Sequence, residues 1–362
     1  TGTWGKTSST ALLSFIFEQA KLDPSYMFGG ISLSHESSAK LTDTKYSIFE
    51  GDEYKSSPTD TTPKFVYYKP SHLLLSAVSW DHADLYPTEE SYFDVFKNLI
   101  SNIPNTGLLV VNSDNEKAKE LVQGSLSKKV IWYGKENADY IYSDLVQNTS
   151  GLDFNIKHKE NIFKIHSEMI GSFQAENITG CFAMAHSIGI NPDDIIKAIA
   201  NFRGLKRRLE KRYTGKVAVF DDIAHSPEKA KTVLDNVKKI YSGKTIAIFE
   251  PNIGGRSRES VSKYNNAFED ADVVIIPRLT KLKIAENGSE QPMDGEELAQ
   301  AISKTNKNVI YIEDDNALVN RIIEIVKVLD NSKNNNVIAF LGSHGFRGMI
   351  EQTITSLHQQ SL

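Results

Sequence analysis

With one cysteine, Cys181, the sequence has no means of forming an internal disulfide or a cysteine-based metal cluster, which fits a reducing cytoplasm. It also lacks any run of about 20 apolar residues, so no transmembrane helix is expected. Positive charge is in deficit: 41 Lys and Arg stand against 46 Asp and Glu, for a formal net charge of −5. That balance leaves no basic footprint for nucleic acid or an anionic membrane surface. No internal repeat or long low-complexity segment occurs, and Asn331–Asn336 reads only as a polar loop. What remains is an ordinary globular composition, 40% hydrophobic and 24% charged, over 362 residues, enough for two domains.

The strongest positive signal stands first in the chain, Thr1-Gly2-Thr3-Trp4-Gly5-Lys6-Thr7-Ser8. Gly2 and Gly5 let the backbone curl so that successive N–H groups face one anion. Lys6 adds a point charge for β/γ-phosphates, and the Thr7 hydroxyl is placed to hold Mg²⁺. Apolar residues at helical spacing follow (Leu12, Leu13, Phe15, Ile16), so a helix over 9–20 would aim its positive end at the phosphates. This is a nucleoside triphosphate site of unusual pattern. A further glycine ahead of Gly2 and a strand feeding the loop would be expected, so the chain is expected to be a fragment of a longer protein. Because Lys6 reads as a loop residue, its replacement is expected to leave the fold intact.

Strand and helix patterns then alternate. Strands are expected at 45–49, 73–78, 107–111 and 130–133, and a helix at 92–103. A hairpin with its turn at Lys159-Glu160-Asn161 is expected within a β-rich stretch from 140 to 167, followed by helices at 174–188 and 192–201. The alternation restarts with strands at 217–220, 245–249, 273–276, 309–312 and 337–341. Two α/β units result, 1–212 and 213–362.

Four segments carry charge where parallel sheets place ligands, after strand ends or at the seam. Glu50-Gly51-Asp52-Glu53 offers carboxylates to a metal, or is a solvated acidic loop. Asp81-His82-Ala83-Asp84 offers an imidazole for Mg²⁺ or Mn²⁺, or a helix cap. Arg207-Arg208-Leu209-Glu210 could place a guanidinium on a transferring phosphoryl group, or is a solvated charge run. In Asp221-Asp222-Ile223-Ala224-His225-Ser226-Pro227, capping accounts for Ser226 and Pro227 but not for the aspartates or His225.

Taken in order, these segments resemble the Mur ligases, ATP-dependent amide-forming enzymes of peptidoglycan assembly. The family's Gly-Thr-x-Gly-Lys-Thr/Ser loop matches Gly2–Thr7. Glu50–Tyr54 is similar to a Glu-Ala-Asp-Glu-Tyr segment, and Trp80–Leu85 to Phe-Asp-His-Ala-Asp-Ile. Phe202–Glu210 resembles a Phe-x-Gly-x-x-Arg-Arg-x-Glu hinge, and Asp221–Pro227 an Asp-Asp-Tyr-Ala-His-His-Pro segment. Glu250-Pro251 and Gly345-Phe346-x-Gly348 recur in the last domain. The resemblance implies a central P-loop ATPase domain with a mostly parallel sheet and a C-terminal Rossmann-like α/β domain. It implies a cytoplasmic ligase, with a monomer as one reading of its assembly, that uses ATP and Mg²⁺ to join an amino acid or peptide to UDP-N-acetylmuramate through an acyl phosphate. The peptide-adding branch of peptidoglycan recycling is nearest, with the alanine-adding branch and a degenerate nucleotide-binding relative as alternatives. Carried over, Gly2, Thr3, Gly5, Lys6, Thr7 and Ser8 bind phosphates, and Thr7, Glu50 and His82 hold metal. Asn177 contacts adenine, Arg208 the γ-phosphate, and Asp222 the nucleotide. Lys6, His82 and Arg208 are the catalytic set. His225, Arg256 and Arg258 are candidates for the substrate, and Lys97, fifteen positions after His82, for a carbamylated lysine or a surface lysine.

The sequence departs from the family at Ser76-Ala77, where the family has Thr-Asn, and at Phe173-Gln174, where it has His-Asn. Ile223 and Ser226 replace Tyr and His, and Asn252–Arg258 replaces an Arg-Ser-Asn-Thr-Met segment. No segment corresponds to the family's UDP-binding domain.

Overall fold

The computed structural model describes residues 1–123, 128–280, 291–329 and 335–360; most of the polar stretch 331–336 therefore lies outside the described residues. The chain divides into two compact units, Thr1–Leu205 and Lys206–Leu362.

In the first unit, helix α1 (Lys6–Gln19) leaves the phosphate loop directly, earlier than its apolar pattern announced. Gly5 caps it in the left-handed region (φ 79°), a conformation that suits glycine. Ser9 to Phe17 are all buried, so α1 is a central helix with no solvent stripe. Short strands follow: β1 (Ser25–Met27), β2 (Ala39–Lys40) and β3 (Ser47–Phe49) form one sheet in the order β2-β1-β3, and β4 (Lys55–Ser57) and β5 (Asp60–Pro63) pair as a ribbon. The main sheet runs β11-β10-β9-β8-β7-β6. Its strands are β6 (His72–Leu75), β7 (Leu108–Asn112), β8 (Lys129–Gly134), β9 (Tyr140–Asn148), β10 (Gly151–His158) and β11 (Asn161–Ser167). β6 to β9 pair in parallel, and β9 to β11 form an antiparallel meander. The expected hairpin is its last two strands, and its turn holds Lys159 at φ 55°.

Both faces of this sheet are covered. The two-residue period sends Leu108 and Val110 into a core with α1, α4 (Phe173–Ser187) and α5 (Pro192–Asn201). Leu109 and Val111 enter a second core with α2 (Glu89–Ser101) and α3 (Glu116–Val122). Helix α2 starts at a Thr88 capping box, ahead of the expected Tyr92. Cys181 on α4 packs against α1, donating to the Ser9 carbonyl at 3.3 Å, and burial pushes its thiol up to about 12. It is a structural residue.

The second unit is one sheet in the order β12-β13-β17-β14-β15-β16. Its strands are β12 (Glu210–Thr214), β13 (Val217–Asp222), β14 (Thr245–Glu250), β15 (Val273–Pro277), β16 (Val309–Ile312) and β17 (Asn336–Gly342). All pairs are parallel except β12 with β13. Helices α6 (Pro227–Ile240), α7 (Gly295–Ser303), α8 (Asp315–Val328) and α9 (Met349–Gln359) complete it. β12 was absent from the sequence pattern, because Glu210-Lys-Arg-Tyr-Thr is a polar edge strand with no apolar alternation. Among the described residues no helix is long and apolar enough to cross a membrane.

Phe340, fully buried on β17, has its ring 5.2 Å from that of Phe346. Phe340→Ala is expected to lower the stability of the second unit by about 3–5 kcal/mol. Far-UV circular dichroism during denaturation reads this, with fluorescence of Trp4, Trp80 and Trp132 reporting the first unit separately. A loss below about 1 kcal/mol would mean the site collapses without a cavity.

Candidate active site

The phosphate loop is stitched to the segment that follows β6. Thr3 N–H donates to Ala77 O at 2.7 Å, and Trp4 bridges Ala77 in antiparallel fashion. The Ser76 hydroxyl donates to the Trp4 carbonyl at 2.6 Å. Gly2 (φ 136°) is obligatory here, since a Cβ would stand 2.2 Å from Ser76 Oγ and 2.9 Å from Ala77 O. The Ser76 hydroxyl and the Ala77 backbone fasten the loop, and the replacement of the family's Asn by Ala77 has no explanation in these contacts. Thr3 Oγ1 accepts from Ser79 N–H at 2.9 Å, donates to Ser79 O at 2.8 Å and lies 3.1 Å from Tyr92 Oη. Thr3 thus shapes the loop through its side chain. Ser8 sits half-buried in the first turn of α1.

Pairing of β1 with β3 carries Glu50 to the loop, with Glu50 N–H donating to Met27 O at 2.9 Å. Glu50 Oε1 accepts from the Thr7 hydroxyl at 2.8 Å and Oε2 from Gly29 N–H at 2.6 Å. Two of the three expected metal-holding residues are therefore in contact. The third, His82, stands in the left-handed region (φ 55°) with Nε2 3.6 Å from Glu53 Oε1. Glu53 was visible in the sequence only as the last acid of its segment. It is fully buried, and its Oε1 accepts from Lys6 Nζ at 2.8 Å and from Tyr92 O–H at 3.3 Å. Burial, and then the Glu53 charge, hold the Tyr92 phenol well above its ordinary pKa, so it stays a donor. Lys6 is the first residue of α1 and the cation of a buried carboxylate. The expectation that it can be replaced without cost to the fold is thereby corrected.

Asn177, on α4 and 8% exposed, reaches the same loop: its Oδ1 lies 2.3 Å from where a Cβ on Gly5 would stand. Gln174 is buried one turn earlier, and Phe173 is exposed. Lys97 is exposed on α2 and pairs at the surface with Asp94 at 3.0 Å. A cavity of about 470 Å³ opens beside α1, β3 and β6, lined by Leu13, Phe17, Phe49 and Leu73. Lys6 touches it, but Glu50, His82 and Asn177 do not.

In the second unit, Arg208 is exposed between two left-handed residues, Arg207 (φ 57°) and Leu209 (φ 47°). Arg207 spends its guanidinium inward, on Asp221 at 3.3 Å and on the carbonyls of Ser343, Gly342 and His344. Asp222, 8% exposed, accepts Leu209 N–H at 2.7 Å and Ala224 N–H at 2.8 Å. Burial raises its carboxyl against those two bonds. Its observed work is to hold the turn that presents Arg208, whose side chain has no pairing group among the described residues.

The Nδ1–H of His225 donates to Ile223 O at 2.7 Å, since a carbonyl can only accept, and burial lowers the ring's pKa. Its Nε2 is left as a neutral acceptor. Arg256 is buried and donates to Met293 O and Thr280 O, both at 2.9 Å, while Arg258 pairs with Glu297 at 2.6 Å. Both arginines are already engaged within their own unit. The sequence did not single out Arg347, which joins two motifs: it is bidentate to Asp315 at 2.9 and 3.0 Å and reaches Glu250 at 3.3 Å.

Comparison with known proteins places this geometry. Residues 1–185 match the Mur ligase middle domain, and residues 207–344 match the Mur ligase, glutamate ligase domain. The UDP-N-acetylmuramate–L-alanine ligase of Pelagibacter ubique is 30% identical over 285 residues, 76% of this chain and 60% of that protein. The UDP-N-acetylmuramate–L-alanyl-γ-D-glutamyl-meso-2,6-diaminoheptandioate ligase of Haemophilus influenzae is 31% identical over 253 residues, 69% and 55%. The chain thus spans under two thirds of these curated relatives. The crystal structure of UDP-N-acetylmuramate–alanine ligase from Thermotoga maritima superposes with a TM-score of 0.76 at 19% identity, over 99% of this chain and 75% of that one. A murein peptide ligase from Psychrobacter arcticus gives 0.62 at 21%, over 98% and 76%. These two likenesses speak for the fold. With one domain match in each compact unit, the chain belongs to the Mur ligase family.

Proposed function

We propose that this chain carries the nucleotide-handling machinery of an ATP-dependent ligase joining an amine to UDP-N-acetylmuramate. One observation carries the reading: Lys6, Thr7, Glu50, Glu53, His82 and Asn177, scattered from residue 6 to 177, gather around one loop. In the reaction proposed, the muramyl carboxylate attacks the γ-phosphorus of ATP. An O–P bond forms to the carboxylate, and the bond to ADP breaks. The amine then attacks the acyl carbon, phosphate leaves with the C–O bond, and the nitrogen sheds a proton. Lys6 and the loop N–H groups bind phosphates, Asn177 meets the base, and Arg208 neutralises charge on the transferring group. Asp222 acts on the nucleotide only through the turn it holds. His225, whose Nε2 is an open acceptor, is the residue proposed to take the amine's proton.

The donors fit Mg²⁺ although no three of His, Cys, Asp and Glu form a ready cluster among the described residues. Thr7, Glu50 and His82 offer a hydroxyl, a carboxylate and an imidazole, and a buried carboxylate oxygen, Glu53 Oε2, has no partner among the described residues. Mg²⁺ needs few protein ligands when phosphates and water supply the rest. When bound, it would neutralise phosphate charge. The tripeptide is the proposed amine, supported by Glu50–Tyr54 and the Gly345-Phe346 segment. Alanine is the second reading, supported by the Pelagibacter and Thermotoga likenesses.

Phosphate release by the full-length natural protein with ATP, Mg²⁺ and UDP-N-acetylmuramate decides between them. Release only with L-Ala-γ-D-Glu-meso-diaminopimelate supports the recycling ligase, and release only with L-alanine the alanine-adding one. ATP binding without release under either condition would overturn both. Lys6→Ala is expected to abolish ATP turnover and, by stranding Glu53, to destabilise the first unit by about 3 kcal/mol. Normal turnover would disprove the phosphate site. Arg208→Ala should lower kcat much more than ATP affinity, and a change in nucleotide affinity alone would contradict its assignment. Asp222→Asn should reproduce that kinetic pattern and destabilise the second unit by about 1–3 kcal/mol, since an amide cannot accept both N–H bonds equally.

A further inference from the structure

The buried carboxylate of Glu53 has both Lys6 and His82 beside one oxygen, and a second oxygen that neither uses. Its side chain is 0% exposed. Oε1 holds Lys6 Nζ at 2.8 Å and lies 3.6 Å from His82 Nε2, while Oε2 is buried with no partner among the described residues. Tyr92 O–H supplies one further, weaker bond at 3.3 Å. A carboxylate so placed keeps its charge only beside a cation. The cation it has is the lysine whose proposed duty lies on the phosphates.

We propose that Glu53 is a shared cation seat: Lys6 fills it before nucleotide arrives, and a divalent metal held jointly with His82 replaces Lys6 once the triphosphate draws the lysine away. This rests on the nucleotide-binding reading given above. It adds Glu53, paired with His82, to the residues that would hold metal. His82 is 34% exposed in its side chain, so a hydrated ion can enter from its side while Glu53 stays covered. The exchange links the two ligands: nucleotide vacates the seat, and metal arrival prevents Lys6 from returning to compete with the phosphates.

The linkage gives Glu53→Gln a signature that loop damage would not produce. Loss of the charge releases Lys6 and removes repulsion from phosphate, so metal-free ATP, titrated in EDTA with a fluorescent analogue, should bind about three- to tenfold tighter. Mn²⁺, followed by electron paramagnetic resonance with a non-hydrolysable ATP analogue present, should bind about 10-fold weaker or more. His82→Ala should weaken Mn²⁺ as well, by the same assay. Weaker nucleotide binding by Glu53→Gln in EDTA, or unchanged Mn²⁺ affinity, would overturn the proposal. If Glu53→Gln does not fold, Glu53→Asp serves instead: the shorter carboxylate should loosen both contacts and shift both affinities in the same directions. Equal affinities to the natural chain would sink the idea. Failure of the natural chain to bind ATP at all would instead strike the nucleotide-binding reading itself.

Discussion

The first unit depends on one close approach of backbone to backbone, that of Gly2 and Thr3 to Ser76 and Ala77. There is no room for a Cβ at Gly2, so the loop can lie flat against the segment leaving β6. From that contact the rest follows. The loop turns at Gly5, α1 starts at Lys6, and the first turn sets Lys6 toward Glu53 and Thr7 toward Glu50. A central helix, buried from Ser9 to Phe17, then steadies that turn, because α4 and α5 pack on it.

Charge is handled by enclosure in both units. Glu53 is buried against Lys6, and Asp222 is buried against two backbone N–H groups. Each is costly to remove from water and therefore rigid in its partners. Half-buried His82 and exposed Arg208 stand on left-handed or left-flanked backbone, His82 beside Glu53 and Arg208 next to the turn that Asp222 holds.

Where the sequence leaves its family's pattern, the side chains bond within the chain. The Ser76 hydroxyl, like the family's Thr a donor, reaches the Trp4 carbonyl. In the 252–258 segment Arg256 fastens the loop to Met293 and Thr280 and Arg258 ties down Glu297, so these arginines meet groups of the chain itself. Arg347, in the variable position of Gly345-Phe346-x-Gly348, links that motif to Glu250 of Glu250-Pro251. Two segments that read as separate signatures are one charged cluster.

Local order was legible in the residues. The phosphate loop, the helix behind it, both alternating halves and the helix at 192–201 follow from glycine placement and apolar period, which neighbours in sequence determine. Short or polar strands such as β1, β2 and β12 left no such trace, since their pairing is decided by a partner strand. The fifteen-residue spacing that suggested Lys97 is equally local, and the fold sends that side chain to Asp94 at the surface. Sequence alone therefore determined the two alternating α/β halves and the glycine-led loop with its helix, and it offered candidates for phosphate and metal binding by residue type. Only tertiary structure decided that Glu53 is the carboxylate facing Lys6, that Asp222 serves a turn, and that Arg256 is engaged within its loop. Ion-pair choice and burial depend on which distant segments meet, and no local pattern encodes that meeting.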